Sequence, residues 1–88
     1  MSQEEHADQL MSAICAHYRN TGERRINANT LAPSLGIEPP IILLTPDAKF
    51  FRETGLVLKN AGLIDAPVNF EWVVLREAGM EACQEGTY

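Results

Sequence analysis

The chain has 88 residues, of which 45% are hydrophobic and 22% charged, with a formal net charge of −5. That length suits one domain and leaves nothing for a second core, and the composition excludes a disordered chain. An unbroken apolar run such as Ile41 to Leu44 is far short of the roughly 20 residues that cross a bilayer. The segment Met1 to His6 is acidic where a secretory leader is basic and then apolar. These features lead to the expectation of a single cytoplasmic domain with no membrane partner.

The first predicted element is a helix over about residues 3–19. Ser2 with Glu5 makes a capping-box pattern, and Ala7, Leu10, Met11, Ile14, Cys15 and Tyr18 recur at helical spacing. Glu4, Glu5 and Asp8 suit the positive end of its dipole and Arg19 the other end, with Thr21-Gly22 as the stop. Arg24-Arg25-Ile26 reads as a brief strand. Asn27 or Asn29 then caps a short helix that carries Leu31, Ala32 and Leu35 and ends at Gly36. Pro33 is tolerated there only near the helix start.

Glu38-Pro39-Pro40 breaks the chain, and Ile41 to Leu44 is a short buried segment. Thr45, Pro46 and Asp47 mark the start of a second long helix, about Pro46 to Asn60, with Gly62 as its stop. Phe50, Phe51, Val57, Leu58 and Ala61 form its apolar side. Lys49, Arg52, Leu56 and Lys59 share another stripe. Gly55 in mid-helix costs about 1 kcal/mol relative to alanine, which points either to close packing there or to simple tolerance. Asp65-Ala66-Pro67 is a turn, Asn69 to Leu75 reads as a strand, and Glu77 to Gln84 as a final short helix.

Three segments in this order resemble winged helix-turn-helix domains. Leu31-Ala32-Pro33-Ser34-Leu35-Gly36-Ile37 is similar to the first helix and turn of the motif. Val57 to Ile64, with its Gly62-Leu63-Ile64 exit, is similar to the end of the recognition helix. Val74-Leu75-Arg76-Glu77-Ala78-Gly79 is similar to the close of the wing. The turn from Glu38 to Thr45 is longer than the family's, and Arg76 stands where the family has a capping threonine. The resemblance spans about residues 5–84. It implies an α+β, mostly helical fold: a winged helix-turn-helix with a small two- or three-stranded β-wing.

The resemblance also implies a transcriptional regulator whose helix 46–60 lies in the major groove of double-stranded DNA. Lys49 and Arg52 would then reach base edges or phosphates, Lys59 the backbone, and Arg24 and Arg25 would join from the neighbouring strand. Net acidity opposes phosphate binding, but the acids cluster toward the two ends and the bases occupy the middle. The alternative is an acidic winged-helix module or adaptor that recognises a protein and binds no DNA. The turn Asp65 to Asn69 carries no base, and Trp72 is either core or an exposed anchor. A homodimer through the first helix is a further possibility.

Nothing points to an enzyme. His6 and His17 lie on one helix in different directions, and Cys15 and His17 fall on different faces. No zinc spacing, phosphate loop or nucleophile motif occurs, so neither a metal nor a cofactor is expected. Cys15 and Cys83 form no CxxC pair and are expected to be two reduced, buried thiols.

Overall fold

The N-terminal apolar stripe becomes α1, Gln3–Thr21, in a computed structural model that describes residues 3–37, 46–67 and 70–86. Ala7, Leu10, Met11, Ile14 and Cys15 are buried and Tyr18 packs beside them, as the spacing predicted. The helix runs two residues past its expected end, and the Thr21 hydroxyl donates back to the His17 carbonyl at 2.9 Å. Gly22 then turns the chain with φ of 75° and donates its amide to the Tyr18 carbonyl.

The next segment is β1, Arg25–Asn27, followed by α2, Ala28–Leu31, and a 3₁₀ helix, Ala32–Leu35. Of the two asparagines, Asn27 is the cap: its Oδ1 accepts from the Asn29 amide at 2.8 Å. Pro33 sits at the start of the 3₁₀ segment, where its missing N–H costs nothing, and so the helical stretch is divided rather than continuous. Gly36 closes it in the left-handed region with φ of 74°.

α3 occupies Pro46–Asn60, with the bounds expected. Its inner face is Ala48, Phe51, Thr54, Gly55 and Leu58, while Phe50 and Val57 are half-buried and Ala61 is exposed. The true stripe is thus narrower in large side chains than the one read from the sequence. The Ser2 and Thr45 caps, the break at Glu38-Pro39-Pro40, the Ile41 to Leu44 segment and Asn69 lie outside the described residues.

β2 (Ile64–Asp65) and β3 (Trp72–Leu75) complete an antiparallel sheet of order β1-β3-β2. Ile26 pairs with Val73 and Ile64 with Leu75, and these four residues form its buried face. The second strand starts later than the aromatic run suggested, because Phe70 turns the chain with φ of +51°. Its buried ring reaches α3 at Gly55, where a Cβ would stand 2.7 Å from Phe70 Cε1. Close packing, not tolerance, therefore accounts for that glycine.

α4 covers Glu77–Gln84, with Arg76 at its cap position making no side-chain cap bond. It lies against the β2 entry so closely that a Cβ at Gly79 would be 2.1 Å from the Leu63 carbonyl oxygen. The fold is α+β and mostly helical with a small three-stranded sheet. No helix of the described residues is long and apolar enough to cross a membrane.

Cys15 and Cys83 are joined in a disulfide, with their Cα atoms 5.3 Å apart, and are not the two reduced thiols expected. Their sequence separation of 68 carries no information about distance in space. What brings them together is the return of α4 to α1, where the Arg19 side chain also donates to the Cys83 carbonyl. The cross-link is buried within the core.

Two outcomes follow from this packing. Gly55→Ala should lower stability in urea denaturation by about 1–3 kcal/mol despite its helix propensity, because the methyl meets Phe70. In a Phe70→Ala background the same change should become neutral or stabilising. The Cys15→Ala/Cys83→Ala double variant should lose about 2–4 kcal/mol, since the cross-link closes a long loop of the unfolded chain. An unfolding midpoint that reductant leaves unchanged would show the sulfurs unjoined.

Candidate nucleic-acid interface

Strand alternation decides which side chains leave the core. With Ile26, Val73 and Leu75 turned inward, Arg25, Asn27, Trp72 and Val74 share the outer face of the sheet. Arg25 lies over the Trp72 ring, its Cζ 4.6 Å from the ring centroid. Trp72 is therefore neither a core residue nor a free anchor. It is a half-buried platform beneath a guanidinium.

Beside this face, α3 presents Arg52 one turn after Lys49. Arg25 and Arg52, 27 positions apart, line one concave pocket of about 390 Å³. Its walls include Asn27 and Asn29 from the α2 start, Ala48 and Phe51 from α3, and Phe70, Glu71 and Trp72 from the approach to β3. Among the described residues, neither Arg25 nor Arg52 makes a hydrogen bond or an ion pair. Lys49 is 70% exposed and stands 4.0 Å from Glu53 at i,i+4. Such an exposed pair is worth about 0.3–0.5 kcal/mol and releases the lysine readily.

The other two predicted bases have internal partners. Arg24 directs Nε and Nη2 at the Leu75 carbonyl, at 3.3 and 3.0 Å, and so fastens the end of β3 to the chain entering β1. Lys59 Nζ donates to the Ala66 carbonyl at 2.9 Å and holds the turn after β2 against α3. That turn is further tied by Asp65 Oδ1, which accepts from the Ala66 amide. The five bases proposed from sequence thus divide: Arg25, Lys49 and Arg52 face outward on one side, while Arg24 and Lys59 hold backbone.

The remaining stripe residue, Leu56, is 48% exposed. Trp72 and the two asparagines were not among the predicted contacts. Trp72's outward position was readable from its alternation with Val73 and Leu75, whereas nothing in the sequence announces that Asn27 and Asn29 line one pocket with α3 residues. His6 packs edge-on against Phe50, and His17 Nε2 lies 3.4 Å from Glu23. Among the described residues no group of three His, Cys, Asp or Glu is placed to hold a metal.

The division of the bases has a measurable consequence. Lys59→Met should cost about 1 kcal/mol of unfolding free energy by leaving the Ala66 carbonyl unpaired. Arg52→Met should stay within about 0.5 kcal/mol of the parent, as surface changes without internal partners do. No protein-family profile, curated protein or solved structure matches this chain.

Proposed function

We propose that this chain is a small cytoplasmic winged helix-turn-helix protein that binds double-stranded DNA as a transcriptional regulator, with α3 as its recognition helix. The observation that carries the reading is the convergence of Arg25 and Arg52, two guanidiniums from distant segments with no hydrogen-bonded or ionic partner among the described residues. Guanidiniums so placed suit phosphate oxygens or guanine edges, both of which accept bidentate donation. The order of helix, strand, short helix, long helix and hairpin supports the same architecture. In it, the β2–β3 hairpin is the wing.

Within the groove, Lys49 and Arg52 on the first half of α3 meet phosphates or base edges. Leu56, exposed one turn further on, suits a thymine methyl. Arg24 and Lys59 act indirectly by fixing the strand and the wing turn beside the helix. The net charge of −5 makes the contact local, so that affinity rests on few phosphates. A reducing cytoplasm disfavours the Cys15–Cys83 disulfide, and its burial slows attack by thiols without changing that equilibrium.

A second reading is a winged-helix adaptor for a protein partner. It is favoured by Leu56, the large hydrophobic side chain exposed among the described residues, and by the acidic turn at Asp65.

Fluorescence anisotropy with a mixed-sequence duplex, repeated across salt concentrations, separates these. With three outward bases, log affinity should fall with log salt at a slope of about −3. Arg25→Gln and Arg52→Gln should each reduce that slope by about 1, and Lys49→Glu/Arg52→Glu should abolish binding with the fold intact. Absence of binding at low salt would remove the DNA reading and favour the adaptor.

A further inference from the structure

We infer that the pocket between β1, α3 and the approach to β3 is also a site for a nucleotide phosphomonoester, its phosphate held between Arg25 and Arg52. A flat cationic surface is enough for duplex backbone, but these two residues line a concavity of about 390 Å³. That volume falls in the range of small-ligand sites, which pair an apolar floor with a few converging polar groups. Phe51 and Phe70, both almost fully buried, back the pocket here, Glu71 adds an acid to its lining, and the two guanidiniums stand at the pocket with no hydrogen-bonded or ionic partner among the described residues.

The Trp72 ring beneath Arg25 restrains that side chain and leaves the in-plane N–H donors of its guanidinium for an oxyanion. Ala48, in the first turn of α3, also lines the pocket. Asn27 and Asn29 line the wall nearest α2, with the Asn27 Oδ1 engaged in capping that helix. A monoester fits this set better than a diester, because its phosphate is terminal and carries more charge at neutral pH. Two sources share that chemistry: a free nucleotide and the 5′-phosphate of a nucleic-acid strand. Since Arg25 and Arg52 also belong to the proposed duplex surface, an occupied pocket and a bound duplex exclude one another there.

Trp72 is the sole tryptophan and lies in the pocket wall, so its emission reports occupancy directly in protein without DNA. The probes are adenosine monophosphate, a short oligonucleotide with and without a 5′-phosphate, and inorganic phosphate. A saturable change with adenosine monophosphate identifies the free nucleotide as a ligand. A change only with the phosphorylated oligonucleotide identifies the strand end. Either supports the site, provided Arg52→Gln weakens it by about tenfold or more, as expected for a lost charge-assisted pair, and the distant Arg76→Gln does not. An unchanged urea midpoint in Arg52→Gln shows that the fold is not the cause. No response to any probe overturns the inference, as does an equal response to inorganic phosphate or an Arg52→Gln variant that binds normally. Because no duplex is present, a failure here leaves the duplex titration standing, and the reverse also holds.

Discussion

The antiparallel pairing of β3 with both of its neighbours is the constraint on which the rest of this small fold depends. β1 and β2 are too short to persist alone, and each is held by the same four-residue strand, Trp72–Leu75. The alternation of that strand sends Val73 and Leu75 into the core and Trp72 to the outer face. One register thereby decides both what closes the core and what lies under Arg25. The exit of β3 leads directly into α4, so the same pairing also delivers Cys83 to α1.

Around that strand the chain accepts local costs that tertiary contacts offset. Phe70 takes a left-handed backbone, uncommon for an aromatic residue, to bring its ring over α3. Gly55 weakens α3 so that the ring can enter, and Gly79 weakens α4 so that it can approach the Leu63 carbonyl. In each case helix propensity is lower than alanine would give, and burial of an apolar neighbour is the return. For a chain of 88 residues, whose core is necessarily small, the Cys15–Cys83 cross-link adds stability that packing alone supplies poorly.

Charge follows the same division between structure and surface. Arg24 and Lys59 end on backbone carbonyls, that of Leu75 at the end of β3 and that of Ala66 just after β2, which long flexible side chains can reach. Arg25, the first residue of β1, lies instead on the outer face of the sheet over Trp72. Adjacent arginines therefore have unrelated tasks. Our functional proposals rest on the outward set alone.

The sequence by itself determined helices at about 3–19, 46–60 and 77–84, the first of them two residues short of its observed end, and the stop glycines at 22, 36 and 62. These are local matters: periodicity, capping chemistry and the glycine preference for positive φ act over a few residues. The late start of β3, the purpose of Gly55, the disulfide and the sorting of the five bases were decided only by the tertiary structure. Each depends on a partner far along the chain: Phe70 for Gly55, Cys83 for Cys15, Leu75 for Arg24, and Arg52 for Arg25 across the pocket. Spacing along a chain specifies which residues share a face. Which face meets which is settled when the sheet closes and the core excludes water.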